Sequence, residues 1–308
     1  MDQILNALKA LGEPTRMRVM ALCAQGDLTV SELVHILGQS QPRVSRHLKL
    51  LCEAGLLQRL REGSWVFHRL AAEPDHMPFV KKLVDLIPQD DEILLRDRER
   101  LQEVKRERAE KASQYFSRNA MRWAEIRALH VDDGEVEKAL LKLAKPKGNE
   151  DFLDIGTGTG QILQVFGNHI RQGWGIDLSS DMLSIARANL EANGNHNCAV
   201  RQGDMYQVPF SADSFDLITI HQVLHYADEP VRAVAEATRV LRRGGKLAIA
   251  DFAPHEEETL RVDHQHRRLG FSEKELADIC RECGLEIKEV QHLPGDPLTV
   301  TLWVAEKL

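Results

Sequence analysis

The sequence is poor in cysteine, in aromatic residues and in long apolar runs, and each shortage excludes a class of protein. Its 308 residues include five cysteines and 5% aromatic residues. The cysteines are odd in number and scattered, which suits a reducing compartment rather than a disulfide scaffold. No stretch reaches the roughly 18–20 apolar residues that span a bilayer, and the N-terminus lacks the basic start and apolar core of a signal peptide. We therefore expect a cytoplasmic protein without a membrane segment.

The charge is unevenly distributed along the chain. The net charge is −7, so nucleic-acid binding cannot be inferred from the total. Residues 1–88, however, carry 11 Lys and Arg against 9 Asp and Glu, so this part is slightly basic on an otherwise acidic chain. Such a distribution permits a local contact with phosphate groups. The length allows two domains, each with its own core.

Two short helices and a hairpin are predicted near the N-terminus. In TVSELVHILG, Thr29 and Glu32 have the spacing of a capping box, and Gly38 ends the apolar pattern. In SQPRVSRHLKLL, Ser40 is expected to cap a second helix. The stretch LLQRLREGSWVFHRL then alternates around Glu62-Gly63, which indicates two strands joined by a tight turn.

This N-terminal region, with its opening LGEPTRMRVMALC, resembles the winged helix-turn-helix of ArsR-type (arsenic repressor) regulators over about residues 1–87. The resemblance implies a homodimer that binds an inverted repeat in double-stranded operator DNA, with helices near 2–11 and 76–87 at the interface. The polar side of the second helix and the wing are expected to contact DNA. The predicted contacts are Ser40, Gln41, Arg43, Ser45, Arg46, Lys49 and Arg61.

The metal-sensing signatures of that family are reduced in this sequence. Only Cys23 stands where a Cys-x-Cys pair is usual, and Asp75-His76 has no further ligands nearby. We therefore expect no metal site, and we expect the effector to bind in the second domain.

A charged helical segment follows. In residues 96–111, 12 of 16 side chains are charged, which favours a solvated helix. The alternative is a narrow contact face through Leu94, Leu101 and Val104. We interpret residues 88–114 as a helical linker.

From about residue 150, strands and helices alternate, which is typical of a parallel α/β sheet. Strands are predicted at 152–155, 173–176, 198–201, 215–220 and 246–250, and helices near 160–168, 181–192, 229–241 and 273–282. Two strand-like runs, GLEIKEVQHL and PLTVTLWVAEKL, follow with no helix between them.

A glycine-rich loop and two acidic residues indicate a nucleoside site. In LDIGTGTGQIL, the glycines follow a strand and open a helix, where backbone N–H groups and the helix dipole favour polar or anionic ligand groups. Asp177 ends the second strand and can accept hydrogen bonds from a ribose diol, which also fits NAD. Asp204 follows the third strand and can accept from an adenine amine, while Met205 can lie against the ring.

The motifs DIGTGTG, GIDLS, GDM, FDLI and RRGG occur in an order that resembles class I S-adenosylmethionine-dependent methyltransferases over about residues 115–308. Arg243 replaces the proline usual in the last motif. The spacing is GxGxG rather than the GxGxxG of dinucleotide binders. The expected fold class is therefore α/β plus α+β: a winged helix-turn-helix (1–87), a helical linker (88–114), and a Rossmann-like seven-stranded methyltransferase sheet (115–308) whose last strand is antiparallel.

The resemblance implies S-adenosylmethionine as cofactor and S-adenosylhomocysteine as product. Asp154 and the glycines would hold the methionine part, Asp177 the ribose, and Asp204 with Met205 the adenine. The full set of implied cofactor contacts is Asp154, Gly156, Thr157, Gly158, Gly160, Asp177, Leu178, Met182, Asp204, Met205 and His221.

The acceptor is less well defined by the sequence. The Asp/Asn-Pro-Pro-Tyr/Phe motif of amino-methylating DNA enzymes is absent where HQVLHY stands, and no Pro-Cys motif occurs, so a small-molecule acceptor is expected. His221 and His225 are candidate catalytic residues, with His225 as a base; alternatively they bind the loop backbone or line the cofactor pocket. His264, His266 and Arg267 lie in a polar insertion that either binds an anionic substrate or forms surface pairs.

Two functions remain open at this point. The first is a regulator that responds to S-adenosylmethionine or S-adenosylhomocysteine and also methylates a small molecule. The second is a non-catalytic sensor of the same ligands that represses methionine or one-carbon genes.

Overall fold

The computed structural model describes residues 2–62, 65–71, 77–88, 90–119 and 133–308. Contacts divide the chain into two compact units, Met1–Glu110 and Lys111–Leu308. Within the described residues, no helix has the length and apolar character that a bilayer span requires.

The first unit combines helices with a small antiparallel sheet. The helices are α1 (Asp2–Leu11), α2 (Pro14–Cys23), α3 (Val30–Leu37), α4 (Gln41–Glu53), α5 (Met77–Asp85) and α6 (Glu92–Asn119), and the strands are β1 (Leu28–Thr29), β2 (Leu57–Glu62) and β3 (Trp65–Leu70). Strand β3 is central and pairs with both β1 and β2. The helix-turn-helix is formed by α3 and α4, and β2 and β3 form the wing.

The local signals of the helix-turn-helix are confirmed except for one. Thr29 and Glu32 form the predicted capping box, and Gly38 ends α3 in the left-handed conformation with φ of 64°. Ser40 lies at the predicted N-cap position of α4, but its side chain makes no capping hydrogen bond. Gly63 of the predicted turn lies outside the described residues.

Helix α6 is not a free solvated helix over its first turns. Leu94, Leu101 and Val104 are buried in the apolar core of the first unit, so the alternative of a contact face is the correct one. The division between the units falls inside α6, after Glu110. Charged residues cover the outside of this helix, and only its spaced apolar residues indicate the buried face.

The second unit contains the predicted seven-stranded sheet. Its helices are α7 (Asp133–Ala144), α8 (Gln161–Phe166), α9 (Ser180–Ala192), α10 (Pro230–Val240), α11 (Glu258–His264) and α12 (Glu273–Glu282), and its strands are β4 (Asp151–Ile155), β5 (Gln172–Asp177), β6 (Cys198–Gln202), β7 (Phe215–His221), β8 (Leu241–Phe252), β9 (Leu285–Leu293) and β10 (Val300–Lys307). The order is β6-β5-β4-β7-β8-β10-β9. Strands β4 to β8 are parallel, and β10 is antiparallel to β8 and β9.

Two apolar cores cover the two faces of this sheet. Phe152 belongs to one core and its neighbour Leu153 to the other, as the alternation of side chains along a strand requires. Two details differ from expectation. Strand β8 starts at Leu241, which pairs with Phe215 of β7. The next pair is Leu217 with Lys246, so residues 242–245 of β8 form an irregularity in the pairing. The polar insertion after β8 contains a short helix, α11, that was not predicted.

Candidate functional site

The carboxyl ends of the parallel strands meet at one edge of the sheet. The glycine loop follows β4, Asp177 ends β5, Asp204 follows β6 and His221 ends β7. In open α/β sheets this edge is where ligands bind. The topology therefore brings the predicted cofactor residues to the same end of the sheet.

The glycine loop is held against the end of β5. The backbone N–H groups of Gly156 and Thr157 both donate to the Ile176 carbonyl, at 2.8 and 2.9 Å. Gly156, Gly158 and Gly160 all have positive φ. A Cβ on Gly156 would lie 2.4 Å from a methyl group of Val223, in the loop after β7. Glycine is thus required at this position for both conformation and space.

Asp177 holds the second half of this loop. One carboxylate oxygen accepts from the Gly158 N–H and the other from the Ser179 N–H, each at 2.9 Å. Burial raises the pKa of Asp177, and backbone hydrogen bonds from Ser179, Gly158 and Leu178 oppose that rise. Each carboxylate oxygen has two lone pairs, so the side chain retains capacity to accept from ligand hydroxyls.

Two further polar side chains lie at the end of β4. The buried Asp154 carboxylate accepts a hydrogen bond from the Thr219 hydroxyl at 2.7 Å, which joins β4 to β7. The buried Thr157 hydroxyl has no hydrogen-bond partner among the described residues. A buried hydroxyl without a partner in a glycine loop is consistent with a site where a bound polar ligand supplies the hydrogen bond.

The remaining predicted cofactor residues differ in exposure. Leu178 is an exposed large apolar side chain directly after Asp177, whereas Met182 is buried in α9. Asp204 accepts from the Tyr206 N–H at 2.8 Å, and Met205 packs against the apolar core. Leu178 is therefore available to contact an apolar ring of a ligand. Met182 is enclosed by the protein core.

His225, in the loop after β7, pairs with Asp251 of β8, and the sequence did not predict this pair. His221 is buried at the end of β7, and Gln222 follows with a left-handed φ of 52°. His225 Nδ1 lies 2.8 Å from Asp251 Oδ1, and the His225 backbone N–H donates to Asp251 Oδ2 at 3.1 Å. Asp251 lies near the carboxyl end of β8, and an acidic residue near a strand end is the signal that had identified Asp177.

The polar insertion lies against the same loop. The backbone N–H groups of Arg267 and Arg268 both donate to the His225 carbonyl, at 3.0 and 2.9 Å. The Arg267 guanidinium pairs with Asp228 at 3.0 Å, and the His266 ring stacks on His225 with centroids 4.0 Å apart. The structure thus brings His266 and Arg267 next to His225, whereas His264 is half-buried at the end of α11.

Most of the predicted DNA contacts lie on α4, the second helix of the helix-turn-helix. Val44, Leu48 and Leu51 of α4 are buried, which turns the polar side outward. The exposed members are Ser40, Gln41, Arg43, Arg46 and Lys49, with Ser45 half-buried and Arg61 exposed on β2. Lys49 is exposed and forms a long 3.8 Å pair with Glu53, so its charge remains at the surface.

Comparisons with known proteins assign the first unit. The family model described as "Bacterial regulatory protein, arsR family" matches residues 13–59. The arsenical resistance operon repressor of Escherichia coli is 40% identical over 83 residues, which cover 26% of this chain and 68% of the repressor. The chain belongs to the arsR family.

The arsR-family chain carries a methyltransferase domain as its second unit. The family model described as "Methyltransferase domain" matches residues 153–249. The uncharacterized methyltransferase YcgJ of Bacillus subtilis is 29% identical over 154 residues, 49% of this chain and 60% of that protein. The chain spans less than two thirds of the length of the curated relatives it matches first.

Solved structures agree on the fold of this second unit. The YcgJ crystal structure superposes with a TM-score of 0.50 at 21% identity, covering 56% of this chain and 98% of YcgJ. The [4+2]-cyclase SpnF gives the same TM-score and identity and covers 56% of this chain and 80% of SpnF. At these identities the likeness establishes the fold alone.

The surroundings of Cys23 in the first unit are unfavourable for binding a metal ion. Cys23 is buried at the end of α2, and burial raises its thiol pKa far above the ordinary value, with Asp27 and Cys52 adding to the rise. A buried neutral thiol is a poor metal ligand. Over the described part of the chain, no group of three or more His, Cys, Asp or Glu is placed to hold a metal ion. Asp75 and His76 lie outside the described residues.

Proposed function

We propose that this arsR-family protein is a transcriptional regulator whose operator affinity depends on S-adenosylmethionine or S-adenosylhomocysteine bound in its methyltransferase domain. The domain also transfers a methyl group to a small molecule. Residues 1–87 form the DNA-binding domain, 88–114 the helical connection and 115–308 the methyltransferase domain. One observation carries the proposal: an exposed basic recognition helix and a glycine-loop nucleoside cradle occur in the same chain.

The cofactor cradle supports the ligand assignment. The Gly156–Gly160 loop and Asp154 would hold the methionine part, Asp177 the ribose hydroxyls, and Asp204 with Met205 and Leu178 the adenine. The orphaned Thr157 hydroxyl and the missing Cβ at Gly156 fit a ligand that lies close to this backbone. S-Adenosylmethionine supplies an electrophilic methyl group on a sulfonium, and the chain's residues bind and orient it there.

A homodimer on an inverted repeat is supported by the first unit. Ile4, Leu5 and Leu8 of α1 are large apolar side chains exposed on one helix, which is typical of an association surface. A two-fold dimer would present two α4 helices to successive major grooves. Ligand binding that favours one arrangement would change operator affinity by about 1–3 kcal/mol, the usual range of allosteric coupling.

Calorimetry with both cofactor forms tests the proposal. The operator is selected from a random duplex library with the full chain, and each ligand is titrated into the free protein and into the operator complex. We expect S-adenosylmethionine or S-adenosylhomocysteine to bind the two states with affinities that differ by about 5–150-fold. Identical operator affinity with and without saturating ligand would refute the regulatory part.

A matched pair of variants locates the ligand. Asp177→Asn removes the charge next to the glycine loop, and Asp181→Asn makes the same change at an exposed position in the first turn of α9. We expect only the first to weaken cofactor binding. Equal affinities in both variants would place the cofactor elsewhere.

A second candidate is the non-catalytic sensor that represses methionine or one-carbon genes. The pairing of Arg267 with Asp228 favours it, since a predicted substrate contact is already engaged within the chain. Transfer of labelled methyl groups to a panel of small molecules distinguishes the two. Cofactor binding and operator coupling without any transfer would select the sensor.

A further inference from the structure

We propose that His225 and Asp251 form a buried base at the carboxyl edge of β7 and β8, and that the methyl acceptor is a small molecule whose nucleophilic atom carries a dissociable O–H or N–H proton. The proposal rests on the proposed function, because it takes the second unit to be a working methyltransferase. It adds a positioning residue, Asp251, and a substrate class.

Asp251 is held in place by three hydrogen bonds. Its Oδ1 contacts His225 Nδ1 and accepts from the Phe252 N–H, both at 2.8 Å, and its Oδ2 accepts from the His225 N–H at 3.1 Å. Its side chain is 0% exposed and that of His225 is 2% exposed. An ionised carboxylate only accepts hydrogen bonds, so in a neutral imidazole paired with it Nδ1 carries the ring proton and Nε2 presents a lone pair.

The lone pair on Nε2 accepts no hydrogen bond from the part of the chain that the structure describes. His225 Nε2 is buried and has no hydrogen-bond partner among the residues that the structure describes. Buried polar atoms in native proteins almost always have a partner, and the exceptions call for an explanation. A ligand that donates a hydrogen bond to Nε2 explains this one.

Aromatic and imidazole rings pack around the His225 side chain. The ring packs against His266 at 4.0 Å, Tyr226 at 4.2 Å and Phe252 at 5.3 Å between centroids. The nearest guanidinium groups are engaged elsewhere, Arg267 with Asp228 and Arg268 with Glu275. The titratable groups facing His225 are therefore Asp251 from β8, His266 from the insertion and Tyr226 from its own loop.

The proton balance defines the acceptor class. The acceptor O–H or N–H gives its proton to His225 Nε2 and keeps the electron pair, which forms the new bond to the methyl carbon. The carbon–sulfur bond of the donor breaks, and its electron pair remains on the neutral sulfur. The imidazolium is balanced by Asp251 and returns its proton to water. Thioethers and tertiary amines have no such proton to lose, so this base does nothing for them.

The first test reads the tautomer directly. Long-range 1H–15N spectra of the full chain are recorded at about pH 8.5, roughly two units above the pKa of a free imidazole. The His225 signals are those lost in His225→Gln, and the exposed His169→Gln serves as the matched control. We expect an Nδ1–H tautomer in the wild type, a mixture in Asp251→Asn, and recovery of the Nδ1–H form in Asp251→Glu. An Nε2–H tautomer in the wild type would overturn the proposal.

The second test uses acceptors in matched pairs, such as a phenol with its thioanisole counterpart and a secondary amine with its tertiary one. We expect transfer to the proton-bearing members only, and a fall in kcat of about 100-fold or more in His225→Gln and Asp251→Asn with little change in KM. Transfer to the proton-free members at equal rates in wild type and His225→Gln contradicts the proposal. Absence of transfer to every proton-bearing acceptor also contradicts it.

Cofactor affinity distinguishes a failure of the His225–Asp251 proposal from a failure of the proposed function. Calorimetry of His225→Gln and Asp251→Asn with S-adenosylmethionine is expected to give affinities within about two-fold of wild type, since neither residue is assigned to the cofactor. A wild-type chain that does not bind S-adenosylmethionine refutes the proposed function. A chain that binds it but has the wrong tautomer or acceptor pattern refutes only the base.

Discussion

Arg18 of α2 and Asp97 of α6 form a two-point ion pair, with Nε 2.5 Å from Oδ2 and Nη2 2.7 Å from Oδ1. The same arginine donates to the Leu37 carbonyl at the end of α3, at 3.3 Å. Arg100, one turn further along α6, donates to the Ile36 carbonyl at 2.9 Å. Helix α6 is thus hydrogen-bonded to the carboxyl end of α3, so the orientation of α6 and that of the helix-turn-helix are linked.

Asp97→Ala is expected to destabilise the first unit strongly. The Asp97 side chain is 2% exposed, and its loss leaves the partly buried Arg18 charge without the carboxylate that balances it. Breaking one side of a buried pair costs about 3–5 kcal/mol. The measurement is urea unfolding of the full chain, with Glu92→Ala, which breaks the exposed Glu92–Arg96 pair, as the control. The control should lose at most about 1 kcal/mol; equal losses would contradict the structural role of Asp97.

Gly156→Ala is expected to weaken S-adenosylmethionine binding by at least about ten-fold. The residue needs a positive φ, and the new Cβ would also force Val223 to move. Gly194→Ala is a matched control, because Gly194 has a φ of 70° but no atom within 4 Å of the added Cβ. The control should lose only about 1–2 kcal/mol of stability and keep its affinity for the cofactor. Isothermal titration compares the two, and an unchanged affinity in Gly156→Ala would show that the loop does not contact the ligand.

Arg43→Ala is expected to lower operator affinity by about 1–3 kcal/mol, the cost of removing an arginine that contacts a base. Arg43 is exposed in the first turn of α4, where a recognition helix meets base edges. Arg187→Ala removes the same charge from an exposed position on α9 and serves as the control. Fluorescence anisotropy at several salt concentrations checks the prediction. A loss of similar size in the control would mean that net charge alone governs binding.

The stability of the first unit is expected to fall as the solution is acidified. Burial lowers the pKa of His68 to about 4, Arg59 adds to the decrease, and a hydrogen bond with Leu28 opposes it. The unfolded chain therefore takes up this proton first, and stability is lost as pH falls from about 6.5 towards 4. The loss amounts to about 2 kcal/mol between about pH 7 and pH 5. His68→Gln should remove this part of the pH dependence, and the exposed His35→Gln should retain it; a His68→Gln profile as steep as wild type would contradict the assignment.

The sequence predicted the elements whose signals are local. The Thr29–Glu32 capping box, the strands that end at Asp177 and His221, and the glycine loop each depend on residues close together in the chain. The antiparallel placement of the last strand came from the resemblance rather than from periodicity. These features could be predicted because hydrogen-bonding pattern and side-chain alternation follow directly from short-range geometry.

The sequence could not predict the relationships that depend on tertiary packing. His225 and Asp251 are 26 residues apart, and only the parallel pairing of β7 with β8 brings them together. The attachment of α6 was hidden by its charged composition, although three spaced apolar residues marked the face. For Arg267 the sequence left open a substrate contact or a pair within the protein, and its pairing with Asp228 depends on how the insertion folds back.

The paired hydrogen bonds to the His225 carbonyl constrain how the segment between Phe252 and Phe271 can be altered. Because the consecutive amides of Arg267 and Arg268 share one oxygen, inserting or deleting a residue in this segment would move the two arginine side chains out of register with Asp228 and Glu275. Libraries that vary side chains at constant length between Phe252 and Phe271 should therefore yield folded variants far more often than libraries that add or delete residues there.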